Sequence, residues 1–146
     1  GKCGNYNPDR IIGGKPVFPN NKYPWQVWLL DDNTYYICGG SIISDRYVLT
    51  AGHCICALSN ESKLKVMVAD HNKDQSSDDI QGVTRLVNIE EVITYPDYSC
   101  RGIGVVTDDI ALLRMSKQLD LSSDSEVGAV CLPPDDSDTY EGEDRM

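Results

Sequence analysis

The sequence contains no long apolar run and little positive charge. No stretch approaches the ~20 apolar residues of a transmembrane helix, so we expect no membrane partner. Lysine and arginine number 13 against 23 aspartates and glutamates, which gives a formal net charge of −10. Because nucleic-acid binding depends on basic surfaces, we also expect no nucleic-acid partner. No signal peptide is visible at Gly1, so we expect either a chain that starts after processing or a fragment.

What the sequence does contain is the composition of a globular protein. Hydrophobic residues make up 40% and charged residues 25% of the 146 positions, which argues against disorder. The length fits one domain of ordinary size.

Six short runs have the character of β-strands and are separated by turn residues. They are residues 25–30, 35–43, 47–51, 64–68, 83–95 and 109–115. Gly39 and Gly40, inside the second run, predict either a β-bulge or a close backbone approach. Six strands at fairly regular spacing, without a convincing amphipathic helix, predict an all-β sandwich or barrel.

The cysteines predict an oxidised protein. They stand at positions 3, 38, 54, 56, 100 and 131. An even number spread over the whole chain predicts a disulfide framework and a secreted, extracellular protein, while the pairing stays open. A zinc site of His53, Cys54 and Cys56 is the alternative, but this spacing lacks the second ligand pair of a structural zinc site. A glycosylation sequon at Asn60 fits a surface loop of a secreted protein.

Histidine occurs only twice, at His53 and His71. His53 follows the apolar run Tyr47-Val48-Leu49, so we expect it on a tight Ala-Gly turn at the mouth of the β-structure. Imidazole suits acid–base chemistry near neutral pH, yet a single histidine beside a cysteine is more often structural than catalytic.

The acidic loop that contains His71 is a candidate calcium site. Its carboxylates, Asp70 among them, offer oxygen ligands to calcium. We favour a solvated loop without a metal, and we interpret His71 as a surface residue. No other cofactor is expected.

Four motifs change the interpretation of His53. They are Arg10-Ile11-Ile12-Gly13-Gly14, Cys38-Gly39-Gly40-Ser41-Ile42, Leu49-Thr50-Ala51-Gly52-His53-Cys54 and Asp109-Ile110-Ala111-Leu112-Leu113. In this order and spacing they resemble the amino-terminal half of a trypsin/chymotrypsin-like serine protease. The resemblance implies the first six-stranded antiparallel Greek-key barrel of a two-barrel fold. It also implies a leader or activation peptide at 1–10 and a partial peptidase domain at 11–146, which ends in the start of the inter-barrel linker.

The resemblance assigns roles to particular residues. His53 would be the general base and acid, and Asp109 the carboxylate that orients it within a Ser-His-Asp triad. Asp108 competes by adjacency, but the family motif aligns with Asp109. Cleavage after Arg10 would free the amino group of Ile11, which in the family pairs with a buried aspartate and shapes the active site.

The resemblance also implies disulfide pairs. Cys38–Cys54 would join the strand before the histidine loop to the loop itself, and Cys3–Cys131 would keep a cleaved leader attached. Cys56 and Cys100 then remain, and we pair them by elimination. That bond would tie the histidine loop to the loop before Asp109.

No Gly-Asp-Ser-Gly-Gly nucleophile motif occurs in the sequence. Ser41 cannot replace it, because the family places that residue in a strand. We therefore expect the amino-terminal portion of a secreted, zymogen-type serine endopeptidase that is inactive by itself. A naturally truncated, non-catalytic binding or decoy protein is the alternative. Expected partners are protein or peptide substrates, protease inhibitors and the missing second barrel, whose absence would expose an apolar face.

Overall fold

The computed structural model describes residues 3–4, 23–31, 35–56, 58, 63–69, 85–99, 107–122 and 126–134. Its elements are β1 (Gln26–Leu30), β2 (Tyr36–Ile42), β3 (Tyr47–Thr50), α1 (Gly52–Cys56), β4 (Lys65–Val68), β5 (Arg85–Thr94) and β6 (Ala111–Met115). Each strand lies inside one of the six runs predicted from the sequence. Among the described residues, no helical segment reaches the length and apolar character that a membrane span requires.

The six strands form one closed barrel in the order β1-β2-β3-β6-β5-β4. All neighbouring strands are antiparallel, and β4 closes the barrel by pairing with β1. β3 and β4 follow each other in the chain but are not neighbours, because β6 and β5 lie between them. This crossover is typical of Greek-key connections. The prediction of an all-β fold with a six-stranded antiparallel barrel is confirmed.

Alternate residues of the strands fill the barrel with apolar side chains. In β6, Ala111, Leu113 and Met115 are buried, and the two residues between them are partly exposed. The same alternation places branched side chains from other strands in the core, including Val27, Leu29, Ile42, Val48, Val66, Val68, Val87 and Ile89. Each fully buried side chain of this kind contributes about 1.5–3 kcal/mol. A shift of the strand pairing by one residue would turn the buried side chains toward solvent. This alternation therefore fixes the register and the positions of the strand ends.

Gly40 is a point of close approach inside the barrel. A Cβ atom at this position would lie 2.8 Å from Cγ1 of Val48 and 3.1 Å from Cδ1 of Leu29. The β1–β2 register is regular there, with Val27 opposite Gly40, and it shifts only between Leu29 and Leu30. Of the two alternatives predicted for the glycine pair, the close approach is therefore correct.

The described start of the chain is fixed to the segment at 126–134. Cys3 forms a parallel bridge with Ala129, and the Gly4 N–H donates to the Ala129 carbonyl at 2.8 Å. A disulfide joins Cys3 to Cys131. Ala129 belongs to the apolar core, so this anchor is continuous with the barrel.

Candidate active site

His53 lies in a short helix that directly follows β3. The predicted tight turn is present, because the Cys54 N–H donates to the Ala51 carbonyl at 3.2 Å, and it continues as a short helix, α1, over Gly52–Cys56. An isolated helix of this length is unstable in water, so contacts with the barrel must hold it. Cys54 and Ile55 are buried, and a disulfide joins Cys54 to Cys38 of β2. These attachments leave His53 on the exposed side of α1.

Asp109 lies in a turn just before β6. The sequence predicted a strand from Asp109, but β6 begins at Ala111. The Ile110 N–H donates to the Asp108 carbonyl at 2.8 Å, which closes a three-residue turn centred on Asp109. The side chain of Asp109 is 32% exposed, so the expected semi-buried carboxylate is present at the rim of the barrel.

The structure brings His53 and Asp109 into direct contact. Nδ1 of His53 lies 2.7 Å from Oδ2 of Asp109, and the His53 backbone N–H donates to Oδ1 at 2.7 Å. One carboxylate thus holds both the ring and the backbone of the same residue. Because an ionised carboxylate only accepts hydrogen bonds, a neutral imidazole must carry its proton on Nδ1 and a lone pair on Nε2. The side chain of His53 is 64% exposed, so a reacting group can approach the ring from outside the barrel.

The contacts with His53 favour the ionised form of Asp109. The hydrogen bond from the imidazole lowers the pKa of Asp109 most, and the His53 backbone N–H lowers it further. Partial burial opposes these effects, whereas a weaker hydrogen bond from the Gly52 backbone supports them. Asp109 is therefore a carboxylate at neutral pH and can stabilise a positive charge on the imidazole.

Tyr98 is a residue of this site that sequence reasoning missed. Its ring lies against Gly52, where a Cβ atom would be 2.8 Å from each of two ring carbons. Its hydroxyl oxygen is 3.4 Å from Sγ of Cys56, so Tyr98 contacts both ends of α1. Burial, and then the negative charge of Asp109, raise the pKa of Tyr98. The signal available in the sequence was the predicted Cys56–Cys100 bond, which implied that the chain just before Cys100 lies against α1.

Comparison with known proteins decides the family to which this site belongs. A sequence model of the trypsin family matches residues 11–145. The chain belongs to the trypsin family of serine proteases. The resemblance noted in the sequence is thereby confirmed.

The relatives of this trypsin-family chain are serine proteases from several animals. Venom serine protease 34 of Apis mellifera is 40% identical over 135 residues, which cover 90% of this chain and 31% of that protein. Serine protease 1 of Rattus norvegicus is 31% identical over 125 residues, which cover 86% and 44% of the two chains. Coagulation factor IX of Cavia porcellus is 34% identical over 114 residues, which cover 78% and 36%. The chain spans less than half the length of each of these relatives.

The cysteine sulfur atoms beside His53 are not free to bind zinc. Among the described residues, Cys38, His53 and Cys54 are the one group close enough to share a metal, with ligand atoms within 4.8 Å of one another. Two of these ligand atoms form the Cys38–Cys54 disulfide, and Cys56 is disulfide-bonded as well. Zinc binds thiolates, so the zinc alternative lacks its sulfur ligands.

Several predicted site residues lie outside the described part of this trypsin-family chain. They are Arg10, Ile11, Asn60, Asp70, His71 and Cys100. Their proposed roles in activation, glycosylation, calcium binding and disulfide pairing therefore stay predictions. Ser41 lies in β2 opposite Gln26 of β1, the kind of strand position that the resemblance implied.

Proposed function

We propose that this chain is the amino-terminal portion of a secreted, zymogen-type serine endopeptidase, in which His53 and Asp109 supply two members of a Ser-His-Asp triad. The observation that carries the proposal is the 2.7 Å contact between Nδ1 of His53 and Oδ2 of Asp109 in a chain of the trypsin family. The two disulfides described in full support secretion, because such bonds persist in oxidising compartments.

The geometry suits His53 for proton transfer at Nε2. That nitrogen would accept the proton of a serine hydroxyl as the serine oxygen attacks the carbonyl carbon of a peptide bond. The imidazolium would then give the proton to the leaving amine. Asp109 holds the Nδ1–H throughout and stabilises the charged ring. The proposed reaction needs no cofactor, since its proton transfers run through His53.

The nucleophile of the proposed reaction would come from chain outside these 146 residues. The relatives extend well beyond the matched region, and the sequence holds no Gly-Asp-Ser-Gly-Gly motif. We do not propose Ser41 as the nucleophile, because it lies in β2 and is paired with Gln26 of β1. We therefore propose that the 146-residue chain does not cleave peptides without its second barrel. Peptide or protein substrates and protease inhibitors would bind the complete enzyme.

An apolar patch beside Asp109 supports a second barrel as partner. Ile93, Tyr95 and Ile110 are 39%, 47% and 42% exposed. Tyr95 and Ile110 are neighbours, since the Tyr95 N–H donates to the Ile110 carbonyl at 3.2 Å. Large apolar side chains clustered on a surface are typical of a face that another unit covers.

Activation is proposed to occur by cleavage between Arg10 and Ile11. The family match begins at residue 11, which supports residues 1–10 as a separate leader. The bond between Cys3 and Cys131 would retain this leader after cleavage.

The test uses the natural secreted protein and the 146-residue chain side by side. Each is treated with a fluorophosphonate probe, which reacts with an activated serine, and its intact mass is measured. We expect a natural species of about 28 kDa, the scale of roughly 250 residues, that reacts with the probe once the bond between Arg10 and Ile11 has been cleaved. The 146-residue chain should not react, and His53→Ala in the natural species should suppress labelling.

A different result would overturn the proposal. Suppose that the natural secreted protein has the mass of these 146 residues, plus any glycan at Asn60, and does not react with the probe. The proposal of a catalytic function must then be abandoned. A non-catalytic binding or decoy protein would then be the better interpretation.

A further inference from the structure

The backbone of Asp108 has an uncommon conformation directly beside the catalytic pair. Its φ is 58°, and among the described residues only Ala69 shares a positive φ without being a glycine. Left-handed backbone is disfavoured for residues with a Cβ atom, although aspartate and asparagine tolerate it better than most. Such conformations cluster at functional sites, where the surrounding structure holds them.

This conformation forms one side of the turn that presents Asp109. The Asp108 carbonyl accepts the Ile110 N–H at 2.8 Å, and the Ile110 carbonyl accepts the Tyr95 N–H at 3.2 Å. Pairing with the barrel starts one residue later, where Ala111 lies opposite Thr94. Asp109 is thus the single residue between the left-handed Asp108 and Ile110, whose N–H and carbonyl are both hydrogen-bonded.

The turn also interrupts the alternation of β6 before it reaches Asp109. Ala111, Leu113 and Met115 face the barrel interior, and a regular strand would give Asp109 that same inward face. With the turn in place, the Asp109 carboxylate instead meets the ring and the backbone N–H of His53 at 2.7 Å each. The side chain of Asp108 itself is exposed.

We propose that Asp108 is a positioning residue whose left-handed backbone, rather than its charge, aims the Asp109 carboxylate at His53. The inference rests on the proposed function, because it concerns His53 and Asp109, the two residues of the proposed triad. The contact that it explains can be measured without any catalytic activity.

The experiment compares residues that accept a left-handed backbone with one that does not. Asp108→Asn and Asp108→Gly keep the conformation accessible and remove the charge, whereas Asp108→Val disfavours the conformation. Asp97→Val is the matched control, since it replaces another exposed aspartate by the same residue at a position without positive φ.

Two NMR signals are followed in the 146-residue chain: the carboxyl carbon of Asp109 during acid titration, and the ring nitrogens of His53. His71 is the only other histidine, so His71→Gln assigns them.

We expect the asparagine, glycine and control variants to keep the low pKa of Asp109 and the proton on Nδ1 of His53. In Asp108→Val, the pKa of Asp109 should rise toward its ordinary value of about 3.9, with loss of the Nδ1–H signal. If the valine variant does not fold, Asp108→Ala, which disfavours the conformation less, should show the same shifts in smaller size.

Two results would overturn the inference. If Asp108→Asn behaves like Asp108→Val, the charge of Asp108 is responsible and its backbone is not. If neither valine nor alanine changes the two signals, the left-handed backbone does not position Asp109. Both readouts are independent of the serine, so failure of the proposed protease function would appear separately, in the probe-labelling experiment.

Discussion

At the scale of single residues, the site depends on one carboxylate that binds two donors of the same residue. Oδ2 of Asp109 accepts from the His53 ring and Oδ1 from the His53 backbone, each at 2.7 Å. The ring orientation and the position of α1 are consequently set by the same group. A substitution at Asp109 should therefore change both the tautomer of His53 and the stability of the helix.

Asp109→Asn tests the first of these effects. An amide has one oxygen for two N–H donors, so one of the two hydrogen bonds must be lost. If the oxygen stays on the His53 backbone N–H, the amide NH2 faces Nδ1 and the ring proton moves to Nε2. We expect the ring-nitrogen NMR signals to report this tautomer at neutral pH.

Asp108→Asn is the control for that substitution, because it changes the adjacent aspartate and should leave the proton on Nδ1. An unchanged tautomer in Asp109→Asn would contradict the assignment of Asp109 as the orienting carboxylate.

Acid should remove the contribution of Asp109 to stability. Its folded-state pKa is lowered by His53, so the unfolded chain binds a proton at a higher pH than the folded chain does. The contribution is therefore complete above the unfolded pKa of about 3.9 and is lost as the pH falls through the lower folded pKa. Denaturant unfolding of the wild type and Asp109→Asn between about pH 6 and pH 2 measures it.

The difference in unfolding free energy between those two proteins should be constant at the upper end of that range and shrink below about pH 4. A difference that grows on acidification would mean that the pKa of Asp109 is raised and not lowered.

At the scale of elements, α1 is held entirely by its surroundings. Five residues are too few for a stable isolated helix, so the Cys38–Cys54 disulfide, Asp109 and Tyr98 must retain it. Closing a loop with a sequence separation of 16 contributes about 3 kcal/mol in the chain-entropy description. The histidine is thus positioned by tertiary contacts more than by helix propensity.

The contact between Gly52 and Tyr98 gives an unusual expectation for Gly52→Ala. Alanine normally stabilises a helix by about 1 kcal/mol relative to glycine. Here the new Cβ atom would be 2.8 Å from the Tyr98 ring, so the substitution should instead destabilise the protein, by about 1–3 kcal/mol. Thermal or denaturant unfolding measures the change.

Tyr98→Ala supplies the control, because it removes the ring that the new Cβ atom would meet. In that background Gly52→Ala should stabilise the protein. The same loss of stability in both backgrounds would show that Tyr98 is not the cause.

The strands were predictable from the sequence, whereas helix α1 and the turn centred on Asp109 were not. β4 and β6 show clear alternation of buried and partly exposed residues, which a sequence pattern reports directly. α1 is too short to show a helical period. An Asp-Asp pair in a sequence does not indicate that its first residue has a left-handed φ, as Asp108 has. Tyr98 is a single aromatic residue in a turn, and this is not a pattern that predicts a site residue. His53 and Asp109 were found because their motifs resemble those of a protein family. Their 2.7 Å contact could be established only from the structure of the barrel.

At the scale of the whole molecule, the apolar patch of Ile93, Tyr95 and Ile110 should make the 146-residue chain self-associate. These side chains are 39–47% exposed, and association would remove them from water. Replacing Ile93 and Ile110 by serine should lower the average mass measured by sedimentation at high protein concentration.

Leu132→Ser is the matched control, since Leu132 is 54% exposed and lies in the segment that is linked to Cys3. It should leave the average mass nearly unchanged. Equal effects of both changes would mean that association depends on general surface hydrophobicity and not on this patch.

The anchor at Cys3 has a consequence for how processing would be observed. Cys3 is bonded to Cys131 and bridged to Ala129, so hydrolysis after Arg10 would create a new pair of chain ends without releasing a piece. The product would migrate as one species in a non-reducing gel, and its mass would increase by a single water molecule. Amino-terminal sequencing, the addition of a reductant, or a mass measurement that resolves one water molecule would distinguish the cut form from the uncut one.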